Sequence, residues 1–242
     1  MIFMKRIFLM ICVGLIALTL NAQEENGKKL DLSVDVASGF LYRGLVLNST
    51  PVFQPTVTFT SGNFLLGAWA STAFADVGEF RGLDIFAVYQ LLPTFSVGLT
   101  NYFPHGWGDI SYFNYKKEET GHAYDLQLMY EGLGGFKALG SVIIGGDDLM
   151  WKDGELKRNF STYLELGYGG TTASGLDWEL FAGVVMMKSG FYAIDGAGFT
   201  NIGAGVTKSF EITPTYSLPL SMKFSINPAY ESVFLTASVA LF

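Results

Sequence analysis

The stretch AYDLQLMYE (residues 123–131) alternates between two kinds of side chain. The apolar or aromatic set is Tyr124, Leu126, Leu128 and Tyr130, and the polar set includes Asp125, Gln127 and Glu131. Successive side chains of an extended strand point to opposite faces, so a period of two residues places each set on its own face. The stretch therefore predicts a β-strand with one apolar face and one polar face.

The same alternation recurs along the chain, and two kinds of connection separate the alternating stretches. Five are short: Ser61–Asn63, Leu92–Thr94, Gly132–Gly135, Gly169–Gly175 and Thr213–Thr215. Six are longer and more polar: Gly44–Thr50, Ala75–Gly82, Pro104–His122, Gly145–Arg158, Lys188–Gly196 and Asn227–Glu231. This arrangement is typical of outer-membrane proteins, and it predicts an all-β fold, a transmembrane antiparallel up-and-down β-barrel of about 12 strands. The alternative is a soluble β-sandwich with the aromatic residues in its core.

The N-terminal residues have the pattern of a secretory signal peptide. The basic pair Lys5-Arg6 precedes an apolar run from Ile7 to Leu20, and the small residue Ala22 follows it. We expect cleavage after Ala22 or Gln23, and an uncleaved anchor helix is the alternative. The predicted boundaries are 1–22 for the signal peptide, 23–29 for a short periplasmic segment and 30–242 for the barrel.

Composition limits the function classes that the chain can serve. Cys12 is the only cysteine and lies in the apolar run, so the mature chain has no disulfide, thiol nucleophile or cysteine metal ligand. Without Lys5 and Arg6, 13 basic residues remain against 22 acidic ones, which argues against nucleic acid as a partner. Half of the residues are apolar, yet no run after the signal approaches the roughly 18–20 residues of a membrane helix.

Aromatic residues flank the connections at both ends of the alternating stretches. The set near the short turns is Phe59, Phe64, Tyr89, Phe95, Tyr130, Phe136, Tyr168 and Trp178. The set near the long loops is Phe40, Phe53, Phe74, Phe103, Tyr124 and Phe160. Because amphipathic rings prefer the headgroup level of a membrane, we predict two aromatic belts on the lipid face.

The chain ends in alternation, on SVFLTASVALF (residues 232–242). The last strand must pair with the first, because unpaired strand edges are not tolerated in lipid. Phe242 resembles the terminal Phe that serves as the recognition signal for the barrel-insertion machinery in many outer-membrane proteins. The alternation does not assign the facing of this last strand, nor of residues 64–74 and 199–210.

Three pieces of the first half carry a family resemblance: ASGFLYRGL (37–45), LLGAWAS (65–71) and LDIFAVYQ (83–90) followed by NYFPH (101–105). Through them, residues 30–105 resemble the TorF-type porins, a group of bacterial outer-membrane proteins. The resemblance implies a barrel and a channel but no particular substrate. Within its Tyr-Arg-Gly piece we expect Gly44 to permit a turn, Tyr42 to lie at the membrane interface and Arg43 to organise the channel mouth.

The polar faces place charged side chains in the lumen. The candidate pore-lining residues are Arg43, Asp31, Asp35, Asp84, Asp125 and Glu165. They form either a network that satisfies the barrel interior or an acidic ring that favours cations. We expect Arg43 to bridge to Asp84, to Asp125 or to both, and the inward rings of Phe86, Tyr102, Tyr163 and Phe181 to narrow the lumen. On this facing, Leu126→Arg should destabilise the barrel far more than Asp125→Asn.

No catalytic constellation or metal site is predicted. His105 and His122 are the only histidines, and we expect both to be solvated loop residues, because their spacing matches no standard ligand set. The pair Asp147-Asp148 has the turn chemistry of a loop start. The leading hypothesis is therefore a porin-like channel of the bacterial outer membrane for small polar or cationic solutes, without chemistry or cofactor. The alternatives are a closed barrel that acts through its loops and, less favoured, an outer-membrane hydrolase.

Overall fold

The computed structural model describes residues 28–74, 80–105 and 111–241. The predicted signal peptide, residues 23–27 and Phe242 lie outside these ranges, as does the side chain of His105. Within the described residues no helix has the length and apolar character needed to cross a membrane.

Twelve strands of the described chain close into an antiparallel barrel, and four shorter strands form two hairpins. The barrel strands are β1 (Lys28–Ala37), β4 (Val52–Ser61), β5 (Phe64–Ala73), β6 (Arg81–Leu92), β7 (Phe95–His105), β8 (Ala123–Glu131), β9 (Phe136–Gly146), β12 (Thr162–Thr171), β13 (Leu176–Val185), β14 (Gly198–Thr213), β15 (Tyr216–Asn227) and β16 (Ser232–Ala240). The hairpins are β2 (Phe40–Tyr42) with β3 (Leu45–Asn48), and β10 (Leu149–Lys152) with β11 (Glu155–Arg158). Each barrel strand pairs with its neighbours in chain order, and β16 pairs with β1 to close the sheet.

The connections between the described strands alternate between the two ends of the barrel. Five short ones lie at the turn end: residues 62–63, 93–94, 132–135, 172–175 and 214–215. Six lie at the loop end, and five of these are longer: residues 38–51, 74–80, 106–122, 147–161 and 186–197. The sixth, residues 228–231, is as short as the longest turns at the other end. The predicted up-and-down barrel of about 12 strands is confirmed, although β14, with 16 residues, is longer than the alternation indicates.

The outer face of the wall is apolar and exposed. Leu126 on β8 is 40% exposed and Leu164 on β12 is 41% exposed, whereas Asp125 on the opposite face of β8 is fully buried. The facing that the sequence leaves open follows from the same contrast. On β16 Val233 and Leu235 are exposed, while Thr236 and Ser238 line the lumen. On β5 and β14 the inward positions include Trp69 and Asn201, and the exposed positions include Leu66 and Val206.

Inward rings fit because small residues lie opposite them. A Cβ atom on Gly67 would lie 2.3 Å from the ring of Phe86, and one on Gly203 would lie 2.5 Å from the ring of Phe181. These glycines therefore leave the space that two of the predicted lumen-narrowing aromatic side chains occupy.

Of the two predicted aromatic belts, the one at the turn end has its rings on the outer face of the barrel. Its outward rings touch in pairs: Phe95 and Tyr130 have centroids 4.8 Å apart, and Phe136 and Tyr168 have centroids 4.7 Å apart. The loop-end set is only partly a belt, and the prediction is wrong for two of its members. Phe40 packs inside against Trp69, and Phe103 is only 1% exposed because Tyr112 and His122 cover it.

Candidate functional site

The hairpin β2–β3, here called the plug hairpin (residues 40–48), connects β1 to β4 and folds into the barrel. Its two turn residues, Arg43 and Gly44, both have positive φ angles, 51° and 85°. Positive φ at both positions is typical of the type I′ turn, which is common in hairpins with two-residue loops. Gly44 is required sterically as well, because a Cβ atom would lie 1.7 Å from the Thr200 carbonyl oxygen. Arginine is an unusual residue at the first turn position, so its side-chain contacts must offset the backbone strain.

The Arg43 guanidinium is buried among polar and aromatic partners. Its Nη2 lies 2.9 Å from Asp125 Oδ2, and its Nη1 donates to Ser141 Oγ at 2.7 Å and to the Tyr192 hydroxyl. The same group lies 4.7 Å from the ring centroid of Tyr163. The expected bridge to Asp125 is confirmed, and among the described residues Arg43 has no ion pair with Asp84.

Asp125 is more deeply placed than a pore-lining residue. Its Oδ2 atom also accepts hydrogen bonds from Tyr102, at 3.1 Å, and from the Gln127 amide, at 2.8 Å. The side chain has no exposed area, and it does not border the three lumen cavities described below. Its carboxylate compensates Arg43, and a buried pair of this kind is strongly destabilised when one partner is removed.

Three further contacts fix the plug hairpin. The buried side chain of Asn227 donates to the Gly44 carbonyl at 2.9 Å, and Asn48 donates to the Phe80 carbonyl at 3.0 Å. The Tyr42 ring stacks on Tyr192 at 6.5 Å, with an angle of 2° between the planes. The prediction that Tyr42 lies at the membrane interface is therefore wrong, because the hairpin turns inward and carries Tyr42 into the lumen.

Tyr192 comes from the connection 186–197, and a buried network holds that connection in place. The Asp148 carboxylate accepts from the backbone N–H and the hydroxyl of Ser161, at 2.8 and 2.6 Å. Ser161 Oγ lies 2.6 Å from Ser189 Oγ, which accepts from the Tyr192 backbone N–H at 3.0 Å. Asp148 thus ties two connections together and positions the tyrosine that meets Arg43.

Among the described residues, the remaining predicted lumen carboxylates form no ion pair or hydrogen bond with Arg43. Asp31 is near the turn end, partly exposed, and pairs with Lys29 at 3.0 Å. Glu165 accepts from the Asn201 amide at 2.8 Å and from the Tyr163 hydroxyl. Asp35 and Asp84 border a cavity in the middle of the lumen.

Three cavities follow one another through the described barrel. The loop-end cavity has a volume of about 840 Å³, the central cavity about 500 Å³ and the turn-end cavity about 690 Å³. The first two share the lining residues Phe40, Tyr42, Gly44, Trp69 and Asp84. The last two share Lys223, Thr236 and Ser238. The cavities therefore adjoin one another along the side of the lumen formed by β15, β16 and β5.

Acidic side chains outnumber basic ones along these cavities. The acidic members of the lining are Asp35, Asp84, Glu131, Asp147, Asp148, Glu165, Asp177 and Glu179. The basic members are Arg43, Lys137 and Lys223. Because the charge of Arg43 is compensated by Asp125, the electrostatic potential in the cavities is more negative than the count of acidic and basic lining residues suggests.

His122 differs from its expected solvated state. It is fully buried, stacked on Tyr115 at 4.7 Å, and its ring nitrogens lie 3.0 Å from Asn101 Oδ1 and 2.7 Å from the Tyr112 carbonyl oxygen. It fastens the described part of the connection 106–122 to β7. Within the described ranges, no group of three or more His, Cys, Asp or Glu side chains is arranged to hold a metal ion.

Sequence reasoning missed Ser141, Tyr192, Asn227 and Trp69 as members of the site. Trp69 is part of the quoted piece LLGAWAS, but the facing of its strand was open. The others lie on separate elements and have no local pattern that connects them with Arg43.

No family model matches this chain, and no curated protein matches it. The similarity to TorF-type porins therefore stays a prediction.

Proposed function

We propose that the chain is an outer-membrane, porin-like channel for small polar or cationic solutes and that it carries out no chemistry. The observation that carries this proposal is the row of three adjoining cavities inside a closed barrel. Adjoining cavities with common lining residues give a solute a route past the plug hairpin from the loop end to the turn end.

The outer face supports a membrane environment for the barrel. Large apolar side chains are exposed on strand after strand, including Leu66, Leu99, Leu128, Leu166, Leu180 and Leu235. A soluble protein rarely exposes a contiguous apolar surface of this extent, whereas outer-membrane lipids would cover it. Phe242 would then act as the signal for the barrel-insertion machinery, and its deletion should lower the amount of protein in the outer membrane without lowering synthesis.

The charges of the lining support a preference for cations. Asp35 and Asp84 face the central cavity, which has the smallest volume of the three. Rings of carboxylates raise the local concentration of cations and repel anions. Arg43 opposes this preference only weakly, because its charge is compensated.

Conductance of the refolded protein in a planar bilayer tests the proposal. We expect discrete single-channel steps and, under a KCl gradient, a reversal potential of the sign that cation selectivity gives. The double variant Asp35→Asn, Asp84→Asn should shift that potential toward zero, whereas Asp153→Asn, in the exposed turn of β10–β11, should not. Refolded barrels without conductance, or with anion selectivity, would contradict the proposal.

The plug hairpin also favours a second candidate, a closed barrel that acts through its loops. Arg43, Tyr42 and Tyr192 fill the middle of the lumen with buried contacts. Under this alternative the intact protein does not conduct, and removal of the hairpin side chains creates a conductance that the native barrel lacks.

A further inference from the structure

Three inward side chains form a row across neighbouring strands of the wall. Asp84 on β6 lies directly opposite Trp69 on β5 and directly opposite Tyr102 on β7. Side chains in such positions are neighbours on the same face of the sheet. The carboxylate of Asp84 is therefore flanked by an indole and a phenol.

The plug hairpin adds further rings to this row. Phe40 lies 5.1 Å from Trp69 and 5.7 Å from Phe80, and Tyr42 lies 5.3 Å from Tyr102, measured between ring centroids. All of these residues border the loop-end cavity. The result is a chamber with aromatic walls around one carboxylate, here called the Asp84 box (Phe40, Tyr42, Trp69, Phe80, Asp84 and Tyr102).

Asp84 differs from Asp125, the neighbouring inward carboxylate, in its partners. Asp125 has Arg43, whereas no basic side chain of the described residues forms an ion pair with Asp84. A partly buried carboxylate without a cationic partner favours a cation supplied from outside.

We propose that the Asp84 box binds a small organic ammonium ion with an apolar body. This inference rests on the proposed channel and names its preferred class of solute. Aromatic faces attract alkylated ammonium groups, the single carboxylate supplies the countercharge, and the apolar walls cover the rest of the molecule. The adjoining cavities, of about 840 and 500 Å³, have the size of ordinary small-molecule sites.

The same geometry disfavours other solutes. An anion would meet Asp84 in the loop-end cavity, where the described lining residues include no lysine or arginine, and Arg43 is bonded to Asp125. A small hydrated metal ion would find one carboxylate and several ring faces, which do not make an oxygen coordination shell. A neutral aromatic molecule gains the apolar contact but leaves the carboxylate uncompensated.

Calorimetric titration of the refolded protein in detergent micelles tests the site, with benzyltrimethylammonium as the probe. Benzyl alcohol and benzoate are the neutral and anionic comparators, and both should bind more weakly. Asp84→Asn should weaken binding of the probe by about tenfold or more, since the charged partner is lost. Glu131→Gln, a carboxylate of the turn-end cavity, is the matched control and should leave the affinity unchanged.

Tryptophan emission locates the bound probe. Binding should change the emission of the native protein, and Trp69→Phe should remove most of that change. Circular dichroism and heat-modified electrophoretic mobility show whether each variant is folded. Equal affinity for benzoate, or unchanged affinity of a folded Asp84→Asn variant, would overturn the inference.

The two proposals fail in different ways. A protein that conducts ions but neither binds nor is blocked by the probe is a channel without this site. A protein that binds the probe through Asp84 but never conducts has the site without the channel.

Discussion

The wall of the barrel and the plug hairpin inside it are stabilised by different kinds of contact. Each wall strand pairs with its neighbours along a run of successive residues, as β8 does with β7, and local register shifts such as that between Tyr124 and Asp125 in the β8–β9 pair interrupt these runs. The hairpin is held instead by single contacts between distant parts of the chain: Arg43 bonds to residues 82, 98 and 149 positions away. In the proposed membrane placement, a change in the wall should therefore act through exposure to lipid, and a change in the hairpin through the partner that it leaves unpaired.

The largest effect is expected for Arg43→Ala. It leaves the fully buried Asp125 without its cation, and breaking a buried ion pair costs about 3–5 kcal/mol. The free energy of unfolding, measured by urea titration of the refolded barrel, should fall by this amount. If the barrel conducts, the same variant should conduct more and prefer cations more strongly.

A double-mutant cycle separates the pair from the general effect of truncation. The variant Arg43→Ala, Asp125→Ala should lose clearly less stability than the two single variants together. Additive losses would show that Arg43 contributes by filling space rather than by compensating Asp125.

This contrast explains which parts of the molecule the sequence could predict. The facing of β8 and β12 follows from local alternation, and it is correct. The depth of Asp125 does not follow, because its burial depends on Arg43 and Tyr102 from other elements. Local alternation alone predicts that Asp125→Asn costs far less than Leu126→Arg. With the burial of Asp125 taken into account, we expect the change to rank with Arg43→Ala, because it removes the charge that compensates a buried guanidinium.

The next largest effects should come from the wall. If the barrel spans a membrane as proposed, Leu126→Arg and Leu164→Arg each place a charge on its lipid face near mid-membrane and should cost about 2–4 kcal/mol of unfolding free energy in bilayers. The matched control is Leu133→Arg, which lies in an exposed turn at the turn end. If Leu133→Arg proves as damaging as the wall variants, the outer face does not lie in lipid.

Asn227→Ala should have a smaller effect through the tip of the plug hairpin. It removes the buried hydrogen bond to the Gly44 carbonyl, and a buried acceptor left unpaired costs about 1–3 kcal/mol. Asn63→Ala, in an exposed turn of the wall, is the control and should change the urea midpoint little. Equal losses in both variants would mean that the hairpin tip is not specifically held by Asn227.

The sequence predicts only some members of the Asp84 box, because the others are brought in by contacts between distant parts of the chain. Asp84 and Tyr102 are inward by alternation, and this is correct. Trp69 joins them only because β5 pairs with β6 in the observed register, and Phe40 only because the chain turns inward after β1. Inward folding of a connection has no periodic pattern, so a hairpin of two short strands looks like an ordinary loop before the fold is known.

The smallest effect on stability is expected for Lys223→Met, and it sharpens the comparison between a buried cation and a solvated one. Lys223 lies 3.7 Å from Glu179 and 4.2 Å from the centre of the Phe181 ring, but it and Glu179 are both nearly half exposed. An exposed ion pair contributes about 1 kcal/mol or less, so the unfolding free energy should hardly change. Lys223 nevertheless borders both the central and the turn-end cavities, where its removal leaves the acidic lining less opposed. The reversal potential should therefore move further toward that of a cation-selective pore, while Lys157→Met in the exposed hairpin β10–β11 should leave it unchanged. A large loss of stability would mean that Lys223 is not a solvated cation. An unchanged reversal potential in a conducting Lys223→Met barrel would mean that the ions do not pass along this side of the lumen.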